Sequence, residues 1–466
     1  MNKYKNICGW SIAIAVFLFF CFVPVGLPKL DARIFGVILF AVVMWIFAPI
    51  PQYASTLLSI PLLYMVGVPA KEALIGFNDS TWIFMLSVFI FGAAIQASGI
   101  GRRIALALLS HVSASYSSFV LGFLLVGLVL TFIIPSSVAK SAVMLPIAVS
   151  IAREMGEDKN SPGMAGLTLS VMFGGWTTAG LVPTGAVANL IILGVILQSL
   201  PQYGYYTTYA GWMGLIGLLT VLITVVTWII IVAIFKPKSG KVSKEVILNE
   251  RKTLPPKLSG KEKRVLILAA LAVLSWCLSS WTGIPVWVTG VFFAALMASP
   301  GIGSLEVSDL KKLDWSTVIW MGGILTIAYL MSKYAIAGWI AGIIVPLLHP
   351  FSGNIYVLGL VISIAFLLLS ILVVNPYVLA SVLLPPLVSS SVALGVDPIV
   401  FVALFLMLFR FFIFPYQCQP AVAVYGMAEG EGYTLPQVTK VAIIQSLCAL
   451  PITLIAIAYW SIIGIL

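Results

Sequence analysis

The chain has 466 residues, 61% hydrophobic and 9% charged, with a mean hydropathy of +1.14. A soluble domain carries about 25% charged residues. The composition therefore excludes a water-soluble globular protein and predicts an all-α polytopic membrane protein, each span needing about 20 apolar residues. The formal net charge of +10 lies largely in loops, where it bears on topology. The lipid bilayer is an expected partner and nucleic acid is not.

In chain order, Lys3 and Lys5 precede an apolar run from about Ile7 to Val25, with no clear small-residue cleavage site after it. This predicts a retained first span with a cytoplasmic N-terminus. DSTWIFMLSVFIFGAAIQASGI (79–100) returns as WSTVIWMGGILTIAYLMSKYAI (315–336), Ser80-Thr81 matching Ser316-Thr317 and Ile100 matching Ile336. AKSAVMLPIAVSIAREMGED (139–158) returns as LASVLLPPLVSSSVALGVDP (379–398), with Pro146 matching Pro385, Gly156 matching Gly395 and Asp158 matching Asp397. Two matches in the same order at nearly the same offset indicate an internal duplication. Segments 80–100 and 316–336 are expected to be re-entrant hairpins entering from opposite sides. Asp79 and Asp314, just before them, are expected to cap helices.

Lys140 lies in TFIIPSSVAKSAVMLPIAV (131–149), an apolar stretch without an acid. A charge at membrane depth costs roughly 3 kcal/mol or more, so an intramembrane lysine marks a candidate functional site. Pro135-Ser136-Ser137 interrupts the run directly before it, and Ser136 and Lys140 share one helix face. GGWTTAGLVPTGAVANLI (174–191) is a second, Gly-rich interruption. The loop 236–264 holds 10 Lys/Arg and three Glu. The positive-inside rule makes it cytoplasmic, so an even number of spans precedes it. With Pro255, Pro256 and its charges it reads as a poorly ordered linker. It joins residues 1–235 and 265–466, two halves of one membrane domain.

In the second half, Asn375-Pro376-Tyr377 interrupts another apolar run, since Pro376 lacks an N–H and disfavours helix at Asn375. PYQCQPAVAVYG (415–426) follows Arg410 as the fourth interruption. Unwound backbone survives at membrane depth only where protein buries it or a wet cavity meets it. Duplicated folds with such breaks place substrate near the bilayer midplane. Four breaks in two matched pairs thus predict one central site. No acid lies in a comparable apolar run, so Lys140 and Arg410 call for an anionic ligand. The alternatives are a snorkelling Lys140 and a structural Arg410. Trp82, Trp176, Trp212 and Trp320 read as packing or interfacial aromatics, and His111 and His349 as solvated. Cys8, Cys21, Cys277 and Cys448 read as small buried hydrophobes, and Cys418 as the accessible thiol. No phosphate loop, metal cluster or catalytic dyad is present in the sequence, so no enzyme and no cofactor is expected.

Together these features resemble the divalent anion:sodium symporter family over roughly residues 75–466. Ten residues before Pro146, Ser136-Ser137-Val138 stands where that family has its first Ser-Asn-Thr motif. Ten before Pro385, Asn375-Pro376-Tyr377 stands where it has the second. Gly185-Ala186-Val187-Ala188-Asn189 takes the place of the first Pro-Pro-Asn loop, and Gln419-Pro420-Ala421-Val422 that of the second. The resemblance implies two inverted repeats with re-entrant hairpins and broken helices, about 11 transmembrane segments, an elevator motion and a homodimer. It implies substrate binding by Ser136, Ser137, Lys140, Thr184, Gly185, Asn189, Asn375, Pro376, Tyr377, Arg410, Gln419 and Pro420.

The motif side chains depart from the family pattern, and Lys140 is expected to stand in for one sodium ion. The function expected is secondary transport of small organic anions, di- or tricarboxylates first and sulfate second, by exchange or uniport across a prokaryotic cytoplasmic membrane. Sodium remains possible through backbone carbonyls. The alternatives are a sodium-coupled dicarboxylate or sulfate symporter, a cation/proton antiporter, which would need an intramembrane carboxylate, and a channel.

Overall fold

The computed structural model describes residues 2–238, 245–372 and 376–466. Every regular element among them is a helix. The chain opens with α1 (Asn2–Phe22), α2 (Lys29–Phe47) and α3 (Gln52–Met65). Next come α4 (Ser80–Ser98) and the amphipathic α5 (Ile100–Leu109), joined by Gly99 alone in a left-handed turn. α6 (Tyr116–Leu130) and α7 (Ser137–Glu154) precede α8 (Pro162–Trp176) and α9 (Val187–Ser199). α10 (Tyr209–Ile234) completes the first half. The linker contains α11 (Glu245–Lys252). The second half runs through α12 (Gly260–Cys277), α13 (Val286–Ala298), α14 (Trp315–Lys333) and α15 (Ile336–Leu348). It continues with α16 (Ile355–Leu372), α17 (Pro376–Ala393), α18 (Pro398–Leu408), α19 (Gln419–Met427) and α20 (Leu435–Ile462).

Seven of these helices are long and apolar enough to cross a bilayer, and six shorter apolar ones accompany them. The chain is a polytopic all-α membrane protein. Lipid gives apolar helices no hydrophobic reason to associate, so small residues that let backbones approach supply the packing. A Cβ on Gly127 of α6 would come within 2.0 Å of the Gly174 carbonyl oxygen of α8.

Polar contacts define two opposite faces. On one, Arg102 and Arg103 of α5 pair with linker Glu250 and Glu262 at 2.6 and 2.8 Å. Lys238 pairs with Asp158, and Arg153 with Glu431, on the same face. On the other, Lys333 pairs with Glu72 at 2.6 Å, Ser199 meets Ser332, and Gln198 donates to Asp79. The duplicated segments run between these faces in opposite directions. α4 starts from Asp79 on the second face, whereas α14 ends there at Lys333. α7 leads to Asp158 on the linker face, whereas α17 leads to Asp397, which bonds Tyr203 just after α9 on the second face. Gly156 and Gly395 take the same left-handed turn, at φ 73° and 71°. The repeats are therefore inverted.

The re-entrant hairpins are not where the sequence places them. Segments 80–100 and 316–336 form unbroken helices of 19 residues each, α4 and α14. At 1.5 Å per residue such a helix spans about 28 Å, leaving no room to turn back. The hairpins are α6/α7 and α16/α17. α6 leaves the linker face, where Arg251 bonds Ser110, and α7 returns to it at Arg153. α16 lies antiparallel to α20, with Ser363 against Thr453 and Gly359 against Ile457. It therefore starts from the face where α20 ends.

The linker also differs from expectation. Residues 245–264 are docked: Val246 and Ile247 are buried, Arg103 reaches the Pro255 carbonyl at 3.0 Å, and Ser259 and Glu262 form a capping box on α12. Two apolar side chains and a set of ion pairs offset the ordering entropy that composition alone suggests would win.

Candidate functional site

The two breaks of the first repeat follow from local chemistry. Pro135 cannot donate within a helix, and Ser136 caps α7 by accepting from Ala139 N at 3.2 Å. Val182 is extended before Pro183, and Ala186 is extended before α9. Trp176 and the residues after it thus leave the helix without reaching the far face. Gly175 is required there, because a Cβ would lie 2.4 Å from Ser141 Oγ and 2.6 Å from the Ser137 carbonyl. Asp79 and Asp314 cap α4 and α14 as expected, accepting from Thr81 N at 2.7 Å and Thr317 N at 3.1 Å.

A cavity of about 940 Å³ opens beside Lys5, Asp309, Lys312 and Asp314 and reaches all four breaks. Loop 299–314 precedes α14, so this mouth is on the linker face, and Lys5 puts the N-terminus there too. At depth the cavity is lined by Ser136, Ser137 and Val138 of the first hairpin and by Ala186 and Val187 of the first broken helix. Tyr377, Gln419 and Pro420 line it from the second repeat. The Ser137 hydroxyl is buried and has no protein partner among the described residues. The first turn of a helix presents free N–H groups and a positive dipole end, a ready site for an anion.

Lys140, Thr184, Gly185, Asn189 and Arg410 are brought together behind this lining. Lys140 is wholly buried. Its ammonium donates to Thr131 Oγ1 at 2.6 Å and approaches the Gly185 carbonyl at 3.4 Å. Thr131 in turn meets Thr178 Oγ1 at 3.2 Å, and Thr178 donates to the Gly174 carbonyl. In its protonated form Lys140 places a charge in the first turn of α7, on the same side as the positive end of the helix dipole.

Arg410 donates to Asn189 Oδ1, and its guanidinium lies 5.6 Å from the ring centroids of both Trp176 and Phe409. Asn189 uses its amide N–H groups on the Ala179 and Val182 carbonyls at 2.7 and 2.8 Å. Trp176 Nε1 donates to the Arg410 carbonyl at 2.9 Å, across a separation of 234 residues. The same separation relates Gly185 to Gln419, so matched positions of the two repeats clasp each other. Thr184 is bonded to the Tyr209 hydroxyl.

Asn375 lies outside the described residues, and Pro376 begins α17. Cys418, expected to be accessible, is fully buried, because the loop after α18 folds into the core instead of lining water. Thr131 and Gln417 are site-forming residues that the sequence reading did not single out. Gln417 Nε2 donates to Ser370 O at 2.7 Å and Oγ at 3.0 Å, and Ser370 is the residue matched to Thr131. In each repeat a nitrogen donor thus ties the hairpin's first arm to the broken loop. The available signal was the hydroxyl residue at matched places near the ends of α6 and α16. Trp320, read as a packing aromatic, lines the cavity along with Trp45.

Residues 5–466 match the family described as the sodium:sulfate symporter transmembrane region. An inner membrane protein of Escherichia coli K12, YbhI, is 27% identical over 346 residues, 71% of each chain. The sodium-dependent dicarboxylate transporter SdcS of Staphylococcus aureus is 24% identical over 423 residues, 85% of this chain and 79% of its own. An L-tartrate/succinate antiporter of Escherichia coli O6:K15:H31 is 23% identical over 405 residues, 81% of both. With nearly its whole length matched and its two inverted halves meeting at four breaks, the chain belongs to the divalent anion:sodium symporter family.

Proposed function

We propose that this protein carries small organic anions, di- or tricarboxylates before sulfate, as an exchanger or uniporter in which the Lys140 ammonium occupies the place of a sodium ion. The observation that carries the reading is the setting of Lys140. Its two partners, a threonine hydroxyl and a backbone carbonyl, are oxygen donors of the kind a bound alkali cation would take. A fixed ammonium returns with the carrier, so it cannot convert a sodium gradient into a substrate gradient. The organic dicarboxylates in the names of two relatives favour that class over sulfate.

A cation/proton antiporter would need a carboxylate at the breaks. The buried acids among the described residues, Asp31, Glu157 and Glu262, are engaged at helix ends with Ala335 N, Gly163 N and Arg103. The positive-inside rule makes the linker face cytoplasmic, so the cavity opens inward. Motion of the hairpins and broken helices against a dimeric scaffold, implied by the family resemblance, completes the cycle.

The test is uptake of labelled succinate into proteoliposomes, with sodium, potassium or choline outside and with or without internal succinate. Uptake independent of the cation and stimulated by internal anion is expected. Strict sodium dependence without trans-stimulation would select the sodium-coupled reading in its place.

A further inference from the structure

Trp45 of α2 and Trp320 of α14 are 2% and 3% exposed, and both line the cavity. Their rings meet edge to face, with centroids 5.8 Å apart and planes at 85°. Trp320 meets Tyr377 in the same way at 5.5 Å and 79°. Neither indole N–H has a protein acceptor among the described residues. Trp276, buried away from the cavity lining, shares this, whereas Trp82, Trp176, Trp212, Trp228, Trp339 and Trp460 each donate to a backbone carbonyl. Buried indole N–H groups ordinarily find a partner. An indole only donates, so what would complete this wall is an acceptor oxygen.

We infer that Trp45 and Trp320 are specificity-determining residues. They form an aromatic wall that receives the planar body and the far acceptor oxygens of a two-ended organic anion whose first carboxylate sits at Ser136 and Ser137. This inference rests on the transport reading above and narrows its substrate class to unsaturated or aromatic dicarboxylates. Three features favour a planar body. Aromatic faces pack best against flat, polarisable groups. The wall adds no charge of its own, so it offers hydrogen bonds and surface contact to an anion whose charge is met at the hairpin tip. And the cavity volume lies in the range that encloses ligands larger than a four-carbon chain.

The experiment measures binding of succinate, fumarate and terephthalate to the purified full-length chain by titration calorimetry. Terephthalate and fumarate should bind at least about fivefold more tightly than succinate. Trp45→Phe and Trp320→Phe keep a ring and delete the N–H, and each should weaken the two planar ligands at least about fivefold. Trp45→Leu with Trp320→Leu should erase the preference, weakening the two planar ligands at least about fivefold more than succinate. If that double variant does not fold, the two phenylalanine variants decide. Succinate binding as tightly as the planar pair, or a preference that survives loss of both indoles, would overturn the assignment while leaving dicarboxylate transport intact. Binding of none of the three would overturn both.

Discussion

At the residue scale, two buried cations do different work from the same position behind the lining. Lys140 is the only nitrogen donor described for the Thr131 hydroxyl and the Gly185 carbonyl, so it both braces the tip and charges it. Lys140→Met keeps the stem and removes the charge. It should lower stability by about 1–3 kcal/mol, the cost of taking the nitrogen donor from the Gly185 carbonyl and from a Thr131 hydroxyl that keeps only Thr178 among the described residues. If the charge attracts substrate, anion uptake should fall by about tenfold or more, beyond what a melting curve in detergent explains. Arg410 instead clasps Asn189 and Trp176 across the repeats. Arg410→Ala should cost about 1–3 kcal/mol in the same melt, while the anion affinity of the folded fraction changes less than about threefold. Arg410→Lys should not rescue it, because an ammonium cannot reproduce the planar fork or its packing between two rings.

At the element scale, close contact at the tip depends on Gly175, where the end of α8 meets the Ser137 carbonyl. Gly175→Val should displace the first hairpin, with an overpacking cost of about 1–3 kcal/mol. Loss of succinate binding in protein that still elutes as a folded species would be the readout. The docked linker is held by weaker means. Arg103 and Glu262 form a partly exposed pair worth about 0–1 kcal/mol. Arg103→Ala should therefore raise amide hydrogen exchange in residues 245–264 several-fold, most at low salt, and leave exchange in α7 and α8 unchanged.

At the scale of the whole molecule, the inverted repeats make a direct topological statement. Cysteines introduced at Lys159, after the first hairpin, and at Ala393, at the end of the second, should react with a membrane-impermeant maleimide from opposite sides of a proteoliposome. Lys159 should label from the side that also exposes the linker. The two positions labelling from one side would contradict the arrangement of the faces. A cysteine at Thr317, on the cavity wall, should label from the linker side and be protected by bound anion.

Hydropathy alone was enough to read a helical membrane protein, because spanning a bilayer demands long apolar helices whatever their neighbours. Pro135, Pro183 and Pro376, with Gly180 and Gly185 beside the second, marked the breaks, because a missing N–H or Cβ acts locally. The duplication was legible because matched residues such as Gly156 and Gly395 are fixed by the same turn. Which helices fold back was not legible: α4 and α6 are both apolar throughout, and only their neighbours and end faces distinguish a span from a hairpin arm. Nor could sequence distance show that Arg410 points at Asn189 and not into the cavity, or that Trp45 and Trp320 stand together on its wall. Those contacts join residues more than 200 positions apart. They are chosen by the packing of two inverted halves, in which a one-turn shift would turn a lining residue into a buried one.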